Sequence, residues 1–293
     1  MEAQVRKDLA NIEKVIILEG AELEAKGMNL FWNVGKGANV PPRMIAVYYK
    51  GNKNSDEVDI ALVGKGVTYD TGGLNIKVSS MEMMYGDKGG ACAVLAALEA
   101  CAEMGLEKNV VFAMAFADNA VSNEAYRPGD ILTAMNGLTV EIENTDAEGR
   151  LVMSDTMTFV QREWKPKKCL YIATLTGSIA IALGIETAGL YAPNDDMAKS
   201  VLDASEEAFE NLWRMPITDE HRRNMKGKWG SDLGNIGAGG RFGGSSKAAA
   251  FLERFIEEDR PWCHLDIAGP ANFNEANDAG FGAKTLLYLI KNL

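Results

Sequence analysis

Five short apolar runs rich in β-branched and aromatic residues alternate along this chain with longer stretches at helical spacing, and no other feature restricts its fold as much. The runs are 44–49 (MIAVYY), 59–63, 110–116, 170–174 and 264–268, and the helical patterns are 89–103, 151–163 and 197–213. A strand followed by a helix of this length has enough chain to cross over and return as a parallel neighbour, with helices covering both sheet faces. The pattern predicts an α/β fold with a mixed, mostly parallel central sheet sandwiched by helices. Residues 1–40 are weakly patterned and are read as a lead-in helix and strand packed on a main domain at 41–293. No internal repeat or disordered linker interrupts the chain.

In open sheets of this kind, ligands bind beyond the carboxyl ends of the strands. VDIALVGKG, KCLYIATLTG and CHLDIAGPA each run from an apolar strand into a glycine-containing loop. The stretch 234–244 (GNIGAGGRFGG) is dense in glycine and reads as either a mobile lid or a close-packed turn. Composition narrows the partners. A net charge of −11 opposes a nucleic-acid surface, which needs clustered Lys and Arg. No apolar run is long enough for a membrane span, and the mixed-charge start is unlike a secretory signal, so a cytoplasmic location is expected. The four cysteines lack paired spacing and read as reduced core thiols. Only two histidines occur, His221 and His264, so a metal site here must rely on oxygen ligands or on something unusual.

Three polar clusters stand out. GKGVTYDTGGLNIK holds Lys65, Asp70 and Lys77; MMYGDKGGA holds Asp87; NTDAEGR holds Asp146, Glu148 and Arg150. Each adjoins a hydrophobic segment and is flanked by glycines that permit tight turns. Taken singly, an Asp beside glycines reads as a turn or a helix cap. GKG lacks the spacing of a phosphate-binding loop. Composition and spacing alone leave an α/β enzyme of unknown chemistry.

Taken together, the clusters resemble the leucyl (cytosol) aminopeptidase family of metallopeptidases. GKGVTYDTGGLNIK and NTDAEGRL carry the resemblance, with support from RPGD (127–130), TLTG (174–177), WRMP (213–216) and HLDIAG (264–269). It runs from about Gly27 onward. It implies that Lys65, Asp70, Asp87, Asp146 and Glu148 bind two divalent cations, Zn or Mn foremost, with Mg or Co as alternatives. Asp70 and Glu148 would bridge them, Asp87 and Lys65 would complete one site, and Asp146 the other. Lys77 would stabilise an oxyanion, and Arg150 would hold a bicarbonate acting as general base. The implied substrates are short peptides with a free amino terminus. Their first side chain, Leu-like, would sit among Met84, Thr174, Leu175, Gly177, Ala268 and Ala271. Ala271 stands where methionine is frequent, which admits a larger first residue. A homo-oligomer, a hexamer, is the implied assembly.

The charges fit that picture. Four carboxylates brought together raise one another's pKa, and two dications offset them. Lys65 can ligate only as a neutral amine, a state that burial and a nearby dication favour. The alternative readings are a Lys65–Asp70 salt bridge, a structural salt bridge for Arg150 and plain core packing for Met84. Three departures from the family pattern are noted: no amino-terminal domain is expected before this region, the segment from Lys77 to Asp87 is slightly shorter than usual, and Lys88 replaces a usual methionine. They favour a rival reading, a catalytically silent member serving as a structural or assembly subunit.

Overall fold

The computed structural model describes residues 9–240, 242–273 and 280–293. The strands are β1 (Ile12–Glu19), β2 (Arg43–Lys50), β3 (Ile60–Asp70), β4 (Asn109–Asn119), β5 (Ile131–Thr133), β6 (Thr139–Glu141), β7 (Cys169–Ala173), β8 (Ala188–Tyr191), β9 (Leu212–Arg214), β10 (Leu233–Gly234) and β11 (Trp262–Asp266). The helices are α1 (Ala21–Ala25), α2 (Asn29–Gly35), α3 (Gly89–Met104), α4 (Gly149–Trp164), α5 (Gly177–Leu183), α6 (Asp195–Ala208), α7 (Asp219–Asn224), α8 (Gly244–Glu253) and α9 (Ala283–Lys291).

Side chains alternate across a strand, so a strand buried on both faces needs apolar residues at every position. β3 begins in this way. Ala61, Val63 and Val67 enter one core layer, Ile60 and Leu62 the other, and all five are fully buried. The main sheet has the order β1-β2-β4-β3-β7-β11-β8-β9. Its centre, β4-β3-β7-β11, is parallel throughout. β1 and β2 are antiparallel to each other, β2 is antiparallel to β4, and β8 to β11, while β9 runs parallel to β8. This is the mixed, mostly parallel sheet that the sequence predicts. Helices α2, α4 and α8 contribute to the core on one face and α3, α6 and α9 on the other. β5, β6 and β10 form a separate small sheet.

Element boundaries depart from the sequence reading where apolar spacing misleads. The helical pattern read through 213 stops at Ala208, because Phe209 takes a left-handed φ of 55° and Leu212–Arg214 becomes strand β9. The run read as 59–63 continues to Asp70, because β3 stays paired with β4 after its apolar residues end. β1 joins the edge of the main sheet through β2, and α2 packs beside α4. Asp155, fully buried in α4, accepts hydrogen bonds from the Leu30 and Phe31 amides at 2.8 and 3.1 Å and from the Met135 amide at 2.9 Å. It thereby caps the start of α2 from a distant part of the chain.

The start of α3 lies unusually close to the sheet. A Cβ on Gly90 would fall 2.1 Å from the Ile172 carbonyl oxygen, and one on Gly64 would fall 2.5 Å from the Gly90 carbonyl oxygen. The first turn of α3 therefore rests on the main chain of β3 and β7, with no side chain between. Gly90→Ala is expected to lower the unfolding free energy by about 3 kcal/mol, since neither backbone can yield cheaply. Denaturant unfolding measures this, and a loss below about 1 kcal/mol would show that the seat is slack.

Candidate metal centre

The carboxyl end of β3 is where the chain changes direction across the sheet. The connection from β3 to β4 passes through α3 on one face, and the return from β4 to β7 passes through α4 on the other. Such a switch point leaves a crevice between the two crossovers. A cleft of about 660 Å³ opens there.

The three polar clusters converge on this cleft. Lys65 and Asp70 project from β3, Asp87 lies two residues before α3, and Asp146, Glu148 and Arg150 lie at the start of α4. Lys65, Asp70, Asp87 and Glu148 are each only 2% exposed. Asp70, Asp87 and Glu148 each offer an oxygen within 4.8 Å of the others. The Lys65 Nζ lies 2.8 Å from both Asp87 Oδ1 and Glu148 Oε1 and donates to the Thr174 carbonyl at 3.2 Å. The Lys77 Nζ sits between Asp70 Oδ2, at 2.7 Å, and Asp146 Oδ1. Asp146 stands outside the three-carboxylate cluster and joins it through Lys77. Glycines make room for this approach: a Cβ on Gly149 would lie 2.5 Å from Lys65 Cε, and one on Gly72 would lie 2.9 Å from Asp146 Oδ1.

Electrostatics follow from burial. Desolvation pushes Asp87 up to about 8, with Lys65 opposing and Glu148 and Asp70 reinforcing the shift. Asp146 is pushed up to about 6 by burial and by the charges of Glu148 and Asp70. For Lys65 burial acts downward, but Asp87, Glu148 and Asp70 outweigh it and hold the ammonium above the usual lysine range. The ion-pair partners of Lys65 are Asp87 and Glu148, so the alternative reading of a Lys65–Asp70 salt bridge is not the pairing found. Burial alone does not neutralise the amine. A neutral Lys65 requires another positive charge beside the same carboxylates.

The cluster has the chemistry of a divalent-cation site. Asp87 Oδ2 is buried without a hydrogen-bond partner, and carboxylate oxygens suit hard or borderline cations. Neither histidine takes part: His221 closes the capping box of α7, and His264 stacks on Tyr191 within the core. A model described as the cytosol aminopeptidase family, catalytic domain, matches residues 1–287. This chain belongs to the cytosol aminopeptidase family. Proteins named probable cytosol aminopeptidase are similar to it. The one from Bradyrhizobium sp. is 44% identical over 283 residues, which cover 94% of this chain and 56% of that protein. The one from Fusobacterium nucleatum is 46% identical over 264 residues, 90% of this chain and 54% of that protein. The one from Chloroherpeton thalassium is 42% identical over 285 residues, 95% and 55% respectively. The chain spans about half the length of these curated relatives.

Within this cytosol aminopeptidase domain, Met84, Thr174, Leu175, Gly177 and Ala268 line the cleft together with the charged cluster. Ala271 does not line the cleft; it lies beside Gly89, where a Cβ would meet both its side chain, at 3.5 Å, and that of Thr174, at 3.3 Å. The shorter segment before Asp87 does not carry it away, for its Oδ1 accepts from both Lys65 and the Thr174 hydroxyl, each at 2.8 Å. Lys88 turns from the cleft and donates to the carbonyls of Tyr85 and Thr68. Arg150 forms no ion pair among the described residues. It donates to the Asn235 carbonyl at 2.6 Å, lies 6.0 Å above the Phe251 ring and leaves Nε unpartnered. Burial lowers its pKa to about 10, against the pull of Glu148 and Asp266.

Three residues that sequence reasoning missed hold the cluster from behind. Asn119 donates to Asp70 Oδ1 at 2.8 Å and to the Thr145 carbonyl at 3.0 Å. Tyr126 donates to that same carbonyl at 2.7 Å, and the Thr145 hydroxyl donates to the Gly72 carbonyl at 2.6 Å. The only sequence signal was an Asn at the carboxyl end of an apolar strand. The first half of the glycine-dense loop is close-packed, with Asn235 and Glu143 tying it to the Asp146 turn, whereas Ala238, Gly239 and Gly240 are exposed. Arg241 in that loop lies outside the described residues. All four cysteines are free thiols, and no helix among the described residues is long and apolar enough to cross a membrane.

Proposed function

We propose that this domain removes the amino-terminal residue from short peptides as a metal-dependent aminopeptidase. The observation that carries the reading is the meeting of Asp70, Asp87 and Glu148 with Lys65 and Lys77 at one end of the sheet. Packing has no use for so many ionisable groups out of water, since each costs desolvation that an apolar side chain would not.

In this proposal Lys65, Asp70, Asp87, Asp146 and Glu148 hold two divalent cations, Zn or Mn foremost and Mg or Co as alternatives. Bound there, the cations would anchor a free α-amine, polarise the scissile carbonyl and lower the pKa of water. The two lysines divide the remaining work by access. The Lys65 side chain is 3% exposed and lines the cleft while held between Asp87 and Glu148, which suits a ligand. The Lys77 side chain is 15% exposed at the cleft wall, so it can reach substrate and donate to the oxygen that gains charge as the carbonyl is attacked. Arg150, with Nε unpartnered, suits a planar oxyanion, and bicarbonate is the anion proposed. Met84, Thr174 and Ala268 offer the first side chain a small apolar wall, in keeping with a Leu-like residue. The hexamer belongs to the same proposal, and light scattering at working concentration tests it.

The deciding experiment is release of leucine from leucine p-nitroanilide or Leu-Gly, with Mn or Zn, with chelator, and beside Asp146→Ala. Chelation is expected to lower the rate by at least about 100-fold, with recovery on adding metal back, and the variant is expected to show a similar loss. No release by folded protein under any metal would replace this reading with the silent structural subunit.

A further inference from the structure

Two carbonyls of the glycine-dense loop accept hydrogen bonds from one buried cation. Lys247, on α8, is 1% exposed, and its Nζ donates to the carbonyls of Ala238 at 2.7 Å and Gly240 at 2.6 Å. Among the described residues no other side chain hydrogen-bonds 238–240, and Lys247 has no carboxylate within ion-pair distance. Burial and the nearby Arg150 charge pull its pKa below the usual lysine range. An ammonium placed this way is costly, and an apolar side chain would fill the space without that cost. The loop needs an anchor: Gly237, Gly239 and Gly240 all have positive φ, and glycine segments lose the most conformational entropy on ordering.

This anchor bears on the cleft. Ile236 and Gly240 line it, on the side of Asp146 and Arg150, while Met84 and Thr174 line it beside Asp87. If the first residue of a peptide occupies the Met84 end, the remainder runs along the loop. Resting on the aminopeptidase reading above, we propose that Lys247 is a positioning residue: by clamping Ala238–Gly240 it shapes the wall that receives the part of the peptide beyond the scissile bond.

The test compares Lys247→Met with the wild-type full chain. Hydrogen exchange of the 236–240 amides is expected to quicken at least about tenfold in the variant. The KM for Leu-Gly-Gly is expected to rise about tenfold, with kcat falling less than about threefold. For leucinamide, which ends just past the scissile bond, the KM should rise by less than about twofold. Unaltered exchange, or equal KM increases for both substrates, would overturn the proposal. If Lys247→Met does not fold, Lys247→Gln, which retains part of the donor capacity, is held to the same criteria with smaller shifts. A wild type inactive on both substrates would refute the aminopeptidase reading and the substrate half of this one, and hydrogen exchange would still decide the clamp.

Discussion

Glu148→Gln should lower metal-dependent leucine release by about 1000-fold and release metal from the protein. The substitution keeps shape and removes one charge from a place where shape is not in question. Glu148 is buried, its Oε1 lies 2.8 Å from the Lys65 Nζ, and it belongs to the trio of carboxylates within 4.8 Å of one another. A glutamine there offers one oxygen and turns an amide donor toward either an ammonium or a cation, both unfavourable. Loss of a group that merely orients a metal ligand costs about 10–100-fold, and loss of a ligand should exceed that. Metal content after dialysis and kcat are the two readouts. Full metal occupancy with wild-type kcat would remove Glu148 from the site.

Lys77→Ala is the complementary case, in which rate and metal binding should separate. Here kcat is expected to fall by about 100- to 1000-fold, as for the loss of an oxyanion donor, while metal remains bound. The sign of the second effect follows from charge. Lys77 spans Asp70 and Asp146, so removing its ammonium leaves two carboxylates with less positive charge between them. Affinity for a dication should then stay level or rise. A purely structural lysine would predict the opposite pairing, with metal loosened and the intrinsic rate of loaded enzyme preserved. Calorimetric titration of metal beside single-turnover kinetics distinguishes the two, and unchanged turnover ends the oxyanion role.

What could be read from the sequence was whatever sits in short contiguous motifs. Lys65, Asp70 and Lys77 share one strand and its following loop, and Asp146, Glu148 and Arg150 share one turn, so local order carried them into view. The central strands were visible because burial on both faces leaves an apolar run. The antiparallel edges were less so: β1 is half exposed and mixes charge with apolar residues, and β9 continues the spacing of the preceding helix. Residues acting through another residue's backbone left little trace. Asn119, Tyr126 and Thr145 meet 19 to 26 positions apart, and Asp155 caps a helix 125 positions away. Which carboxylates lie closest to Lys65 stayed out of view for a related reason, since the sequence names its neighbours but not their distances.

The contact between the start of α3 and the sheet backbone bears on how such a domain tolerates change over generations. Most core neighbours meet through side chains, so each accepted substitution nudges the elements it separates. The first turn of α3, which begins two residues after Asp87, is exempt from that drift. It is located by main chain against main chain at Gly64, Gly90 and Ile172, and peptide groups do not vary with sequence. The rest of the interior can be exchanged residue by residue while this carboxylate-bearing corner keeps its place. The freedom to diverge is bought at two glycine positions that have none.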